Sequence, residues 1–170
     1  MTEPGAVRVW LSLGSNIEPR SHIPRALKEL DDEFGKLIIS PVYESEAVGF
    51  RGDNFLNLVV GLRTTLGPQA LMKRLREIEA LHGRKRDAKG FNSRTLDIDL
   101  LTYADQIIDS ETLKLPRGEI LKYAFVLLPL ANVAGNERHP VAGKTYQELW
   151  DSFDSALQHL WPVELSDPSD

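Results

Sequence analysis

The chain has 170 residues, 42% hydrophobic and 26% charged, a balance that fits one globular domain with a substantial core and excludes a disordered or fibrous protein. Its formal net charge of −5 excludes a generic nucleic-acid binder, so any anion site must be a local cluster of cations. Without cysteine there is no disulfide framework, thiolate zinc site or Cys nucleophile, and with neither a leader pattern nor a membrane-length apolar run a cytoplasmic location away from membranes is expected.

Residues 7–13 alternate Val7, Val9, Leu11 and Leu13 on one side, the pattern of a half-buried strand, and Gly14-Ser15-Asn16 follows with turn chemistry. Over about 20–34, Ile23, Ala26, Leu27, Leu30 and Phe34 recur at helical spacing, with Pro24 tolerated in the first turn. Residues 37–44 read as a second strand in which Pro41 predicts an edge or a bulge. The polar stretch 45–54 is long for a hairpin loop, and long loops often carry function. A third strand, about 55–65, puts Leu56, Leu58, Val60 and Leu62 on one face and Phe55, Asn57, Val59 and Gly61 on the other. An amide two residues from an aromatic marks that second face as the border of a site.

Gly67-Pro68 opens a helix that Gly83 ends, with Leu71, Leu75, Ile78 and His82 on its apolar face. Glu79 lies beside that face, and its spacing fits equally a carboxylate that reaches solvent and one paired with a cation. Residues 84–94 then hold five cations: Arg84, Lys85, Arg86, Lys89 and Arg94. A charge run is ordinarily a solvated loop, but this one abuts two acids. Residues 94–101 read as a strand with Leu96, Ile98 and Leu100 on one face and Asp97 and Asp99 on the other. Their Cβ atoms should be roughly 7 Å apart, at about 3.3 Å per residue. Carboxylates converging to about 5 Å repel by about 3 kcal/mol at an effective dielectric near 20, so the pair asks for a cation.

Residues 103–109 predict a turn and a short hairpin strand, 120–134 a buried helix around Pro129, and 146–161 an amphipathic helix carrying Leu149, Phe153, Leu157 and Leu160. His22 and His159 read as surface helix residues, His82 as a helix-end residue, and Trp10, Trp150 and Trp161 as packing residues. One domain over 1–162 is expected, with 163–170 as a disordered tail. Hairpin-connected strands favour an α+β fold, with helices on a mostly antiparallel sheet.

Magnesium takes oxygen ligands, typically one or two carboxylates plus substrate phosphates. Asp97 and Asp99 are candidates for the carboxylates, and Arg84, Arg86 and Arg94 for planar donors to phosphate oxygens. No Walker-type loop, kinase signature or His-based zinc motif is present. From the residues alone the chain reads as a metal-dependent phosphoryl-type transferase.

Arg94-Thr95-Leu96-Asp97-Ile98-Asp99, preceded by Gly83-Arg84-Lys85-Arg86, resembles the signature of the 6-hydroxymethyl-7,8-dihydropterin pyrophosphokinase family. Leu13-Gly14-Ser15-Asn16, Phe55-Leu56-Asn57, Ile78-Glu79 and Ala124-Phe125-Val126-Leu127 before Pro129-Leu130 match in the family's order, over residues 7 to about 142. The resemblance implies a ferredoxin-like α+β sandwich. It also implies transfer of pyrophosphate from ATP to the hydroxymethyl group of the pterin, releasing AMP, in folate biosynthesis. Asp97 and Asp99 would bind two magnesium ions bridging ATP and the pterin hydroxyl. Phe55 and Phe125 would sandwich the pterin ring and Asn57 would read its edge, with Ser45, Glu46 and Val48 completing the pocket. Glu79, Arg84, Arg86, Arg94 and Arg117 would line the ATP side, with Arg84 and Arg94 catalytic, and residues 84–93 would be a lid excluding water. The expected partners are these small molecules, with no nucleic acid and no membrane, for a monomer.

Departures from the family pattern fall on the nucleotide side. Arg117 stands where the family usually has His, and Tyr123 where it usually has Arg; Phe91 and Ser93 stand where it often has Trp and Pro. Arg117 and Arg76 are candidates to make up the lost charge. A second reading is therefore a diverged paralogue that binds pterin or nucleotide with weak activity. A third, a magnesium-dependent nuclease or nucleotidyltransferase, is disfavoured by the acidic net charge.

Overall fold

The structure is a computed structural model that describes residues 5–46, 53–83 and 95–166. Its elements are β1 (Val7–Ser15), α1 (Pro19–Phe34), β2 (Ile38–Ile39), β3 (Val42–Ser45), β4 (Phe55–Thr64), α2 (Pro68–Leu81) and β5 (Asp97–Tyr103). They continue as β6 (Ile108–Asp109), β7 (Lys114–Leu115), α3 (Glu119–Lys122), α4 (Ala124–Ala134), α5 (Tyr146–Asp151) and β8 (Leu160–Val163). The main sheet runs β5-β1-β4-β3-β8, with β2 also on β4, and its pairings are antiparallel. β6 and β7 form a separate hairpin. This is the α+β, mostly antiparallel fold that the hairpin-connected strands predict, and the ferredoxin-like one that the resemblance implies.

The alternation in β1 and β4 decides the layers. Leu11, Leu13, Leu58, Val60 and Leu62 face one way and pack with Ile23, Ala26 and Leu30 of α1 and Leu71, Leu75 and Ile78 of α2. Each is essentially inaccessible to water, which contributes roughly 1.5–3 kcal/mol per side chain. Trp10, Val59 and Leu101 face the other way and pack with Ile120, Val126, Leu127, Leu130 and Tyr146. The sheet is thus covered on both faces. Leu101 reaches this second face by the alternation that also puts Asp97 and Asp99 there, and the register shift between Trp10 and Leu11 then returns Tyr103 to the first face. Gly61 lies opposite Trp10, and a Cβ there would sit 2.4 Å from the indole.

Several expectations are corrected. Pro24 lies inside α1, which starts at Pro19, rather than in its first turn. The strand expected over 37–44 is two strands, because Pro41 has no N–H to donate. Ser40 seals the break: its N–H donates to the Val59 carbonyl at 2.9 Å and its Oγ accepts from the Val59 N–H at 2.8 Å. The helix expected over 120–134 is α3 and α4, parted by Tyr123 in extended conformation. The helix expected over 146–161 stops at Asp151, and Leu160–Val163 is a strand. Asp154 accepts a local bond from the Ala156 N–H at 3.2 Å, a side-chain competition that disfavours helix, and the open edge of β3 offers pairing to β8. His22 is buried, not a surface residue: its Nδ1 lies 2.8 Å from Nδ1 of His82, whose Nε2 is 2.6 Å from Glu29. Trp161 is 38% exposed on β8. Among the described residues, no helix is long and apolar enough to cross a membrane.

Candidate active site

Strand register sets one row of side chains across the sheet. Asp97 lies opposite Gly14, Gly14 opposite Asn57, and Asn57 opposite Tyr43. Directly opposite residues in antiparallel strands share a face, and this is the α4 face, beyond Trp10 and Val59. With strands about 4.8 Å apart, Asp97 and Asn57 stand roughly 10 Å apart with only Gly14 between them. A Cβ on Gly14 would lie 3.2 Å from Asn57 Oδ1 and 3.9 Å from the Phe55 ring. The row therefore dips at its centre because residue 14 lacks a side chain.

On one side of the dip the site is charged. Asp99 follows Asp97 by two residues on the same face, close enough for the two carboxyl groups to hydrogen-bond. Asp99 Oδ1 is 3.6 Å from Nη2 of Arg76 and 3.7 Å from Nη2 of Arg117. Arg117 also pairs with Glu119, and its N–H donates to the Leu101 carbonyl at 2.9 Å, tying this link to β5.

β5 ends the sheet, so its outer backbone groups need cover. Glu79 and Arg76, three apart on α2, supply it. Glu79 Oε2 accepts from the Ile98 N–H at 2.7 Å, Arg76 Nη2 donates to the Ile98 carbonyl at 2.9 Å, and the two side chains meet at 2.5 Å. Glu79 is 1% exposed and paired, which resolves the two alternatives its spacing allowed.

Burial pushes the Glu79 carboxyl up to about 7; the Ile98 N–H and Arg76 pull it down, and Asp97 and Asp99 push it further up. Burial also raises Asp99, to about 6, with Asp97 adding to the rise and Arg117 and Arg76 opposing it. Among the described residues carboxylates outnumber guanidiniums here, and desolvation makes the excess costly.

That donor set fits a hard divalent cation. Two carboxylate groups on one face are the usual protein contribution to a magnesium site completed by phosphates. Among the described residues no group of three or more His, Asp and Glu side chains could hold a metal ion. Glu79 is committed to Arg76 and Ile98.

On the other side of the dip the hydrogen bonds join neutral groups, and the Glu46 carboxylate is exposed. Asn57 is 5% exposed, and its Nδ2 donates to Ser45 Oγ at 2.7 Å, which fixes its amide. Tyr43 donates its hydroxyl to Asn132 Oδ1 of α4 at 2.6 Å, so β3 and α4 are tied beside the site. Phe125, the second residue of α4, stacks on Tyr123, with centroids 5.0 Å apart and planes 18° apart. Phe125, Ser45 and Glu46 line one cavity of about 250 Å³, together with Gln158 and Leu160 of the C-terminal segment. Phe55 is half-buried, opposite Ser45 in the β3–β4 register.

The structure thus gathers Asp97, Asp99, Glu79 and Arg117 on one side and Ser45, Glu46, Phe55, Asn57 and Phe125 on the other. Val48, Arg84, Arg86 and Arg94 lie outside the described residues, as does the expected lid over 84–93. Sequence reasoning missed the gap at Gly14, which a glycine ending a strand can signal. It also missed Gln158, which carries no signal once its segment is read as helix.

The description "7,8-dihydro-6-hydroxymethylpterin-pyrophosphokinase" belongs to the family that matches residues 10–135. The Aquifex aeolicus 2-amino-4-hydroxy-6-hydroxymethyldihydropteridine pyrophosphokinase is 39% identical over 143 residues, 83% of this chain and 89% of the relative. The Pseudomonas aeruginosa protein of the same name is 39% identical over 137 residues, 78% of this chain and 84% of the relative. A Plasmodium falciparum HPPK-DHPS solved with pterin and p-hydroxybenzoate superposes with a TM-score of 0.69 at 16% identity, over 86% of this chain and 43% of that one. The chain therefore spans less than half of that bifunctional protein, and the likeness to it is one of fold.

Proposed function

This chain belongs to the 7,8-dihydro-6-hydroxymethylpterin-pyrophosphokinase family, and we propose that the charged and neutral sides of its site hold ATP and the hydroxymethyl-dihydropterin respectively. The reaction is the pyrophosphokinase step of folate biosynthesis, the activity for which its relatives are named. The pterin hydroxyl oxygen bonds to the β-phosphorus of ATP, the bond from that phosphorus to the α-phosphate oxygen breaks, and AMP leaves. Positioning and charge stabilisation dominate such transfers.

The observation that carries this reading is the single row Asp97–Gly14–Asn57. It puts a cation-seeking carboxylate pair and a buried, fixed amide on one face, roughly 10 Å apart. Asn57 presents hydrogen-bonding groups to the pterin edge, and Phe55 and Phe125 supply ring faces. Asp97 and Asp99 hold magnesium, two ions by the family's pattern, which neutralises phosphate charge where the bonds change. Arg117 and Arg76 steady Asp99 and bring positive charge toward the phosphates, while Glu79 keeps Arg76 in place. Arg84, Arg86 and Arg94 complete the ATP side by their position in the motif. A cysteine-free ATP-dependent enzyme fits the cytoplasm, and small molecules are its only required partners.

Tyr123 gives up the charge an arginine would bring and stacks on Phe125 instead. Arg117 stands beside Asp99, so the carboxylates keep a cation on that flank. This favours an active enzyme over a binding-only paralogue. With magnesium, ATP and 6-hydroxymethyl-7,8-dihydropterin, AMP and the pterin diphosphate are the expected products. ADP as the sole nucleotide product would sink the mechanism, and pterin binding without AMP release would favour the paralogue.

A further inference from the structure

We propose that Gln158, in the segment leading into β8, is a positioning residue for the pterin side, clamping the α3–α4 junction so that Phe125 stands at a fixed angle to the pocket. The proposal rests on the reading of Phe125 as a pterin contact. Gln158 Oε1 accepts from the Ala124 N–H at 2.7 Å, and its Nε2 donates to the Lys122 carbonyl at 3.1 Å. One primary amide therefore grips the backbone on both sides of Tyr123, the residue on which Phe125 stacks.

The junction needs an outside hold. Ala124 is the first residue of α4, and first-turn N–H groups have no intrahelical partner. The N-cap, Tyr123, makes no side-chain cap bond, so Gln158 does from a distance what a cap residue does locally. The next turn is weak too: Pro129 lies inside α4 and has no N–H for the Phe125 carbonyl four residues earlier. Phe125 thus sits in a turn short of its own bonds at both ends.

Gln158 is itself anchored to the rest of the pocket. Its N–H donates to the Ser155 carbonyl at 3.0 Å, closing a turn, and two residues on Leu160 pairs with Ser45 in the β3–β8 register. Ser45 is the residue whose Oγ accepts from Asn57. The line Asn57–Ser45–Leu160–Gln158–Ala124 runs round the 250 Å³ cavity and joins the amide expected to read the pterin edge to the ring expected to cover its face. A substrate pocket built on two separate chain segments loses alignment when the tie between them goes.

The test is steady-state kinetics on the full chain, varying pterin and ATP separately. Gln158→Ala should raise KM for the hydroxymethyl-dihydropterin about ten-fold, the effect of losing its two ordering side-chain hydrogen bonds, with KM for ATP and kcat within about two-fold of wild type. Gln158→Glu keeps the acceptor for Ala124 but sets a carboxylate oxygen against the Lys122 carbonyl, so it should recover only part of that loss in the pterin KM. An unchanged pterin KM in Gln158→Ala, or an equal rise in both KM values, overturns the clamp. Phe125→Ala is the companion arm. If it raises the pterin KM while Gln158→Ala does not, the clamp alone is wrong; if it leaves the pterin KM unchanged, the reading of Phe125 fails and takes the clamp with it.

Discussion

The two sides of the site are built by opposite means. At the sheet edge, Asp97, Asp99, Glu79, Arg76 and Arg117 are held by mutual charge, on β5, α2 and the link before α3. Across Gly14, Asn57, Ser45, Tyr43 and Phe125 are held by neutral hydrogen bonds and ring stacking, on β4, β3 and α4. Among the described residues the charged side carries more carboxylates than guanidiniums, an excess that a bound cation would relieve. The neutral side has nothing to relieve and recognises by fit. Substitutions on the charged side should therefore act on rate or on stability according to which group they strand, and substitutions on the neutral side chiefly on the pterin KM.

The largest effect expected is at Asp99. Asp99→Asn keeps the shape and removes one charge, so AMP release should fall by about 10²–10³-fold, or roughly 3–4 kcal/mol of transition-state stabilisation. Thermal unfolding of this variant should come no earlier than wild type, because a raised, crowded carboxylate has been neutralised. A variant that melts early but turns over normally would make Asp99 a structural residue and erase the contrast.

Glu79 is the test of stability on the same side. Glu79→Ala leaves the buried Ile98 N–H unpaired and takes from Arg76 its nearest carboxylate, at a cost of about 2–4 kcal/mol. For a domain of this size that lowers Tm by roughly 2–4 °C per kcal/mol, measurable by circular dichroism. Glu79→Gln retains an acceptor for Ile98 and should lose less. Equal melting of Glu79→Ala and wild type would mean that the edge of β5 needs no cover.

Asn57→Ala probes the neutral side at lower amplitude. It removes the bond to Ser45 and the amide facing Gly14, so the pterin KM should rise about 10-fold, for about 1–2 kcal/mol, with the ATP KM unchanged. A rise in both constants would show that the two sides are not separable.

The same contrast explains what the sequence could reveal. β1, β4 and β5 were legible because large apolar residues recur at every second position on the face toward α1 and α2, and α1 and α2 because their apolar spacing is strong. Asp97 and Asp99 stood out because two adjacent acids on a strand are costly without a cation. Asn57, Phe55 and Phe125 did not, since such residues are ordinary in cores, and only family resemblance lifted them. The C-terminal segment misled: Leu149, Phe153, Leu157 and Leu160 have helical spacing, yet the open edge of β3 recruits residues 160–163, and that pairing is non-local. Gln158 was hidden by the same error. His22 was misread because nothing local reports that His82, sixty positions on, completes its contact.

That histidine pair gives the smallest effect and a control lying in neither side of the site. His22 Nδ1 and His82 Nδ1 are 2.8 Å apart, a contact needing one bare and one protonated nitrogen, and His82 Nε2 is held by Glu29 at 2.6 Å. Burial lowers the His22 pKa, with His82 and Arg25 lowering it further and Glu18 opposing. The folded chain therefore takes its proton at lower pH than the unfolded chain, whose histidine titrates near 6.5. The contribution is present above about pH 6.5 and is lost as pH falls through that value toward the folded pKa. Between pH 7.5 and 5.5 the wild-type Tm should fall by about 2 °C more than that of His22→Gln. The slope left in His22→Gln is the balance of His139, which burial lowers in the same sense, against Glu79 and Asp99, which burial raises and which therefore favour the fold as pH falls. AMP release by His22→Gln at pH 7.5 should match wild type within about two-fold. If its rate fell with its pH slope, the outer helix layer would be coupled to the site, and the division between a charged and a neutral side would have to include α1.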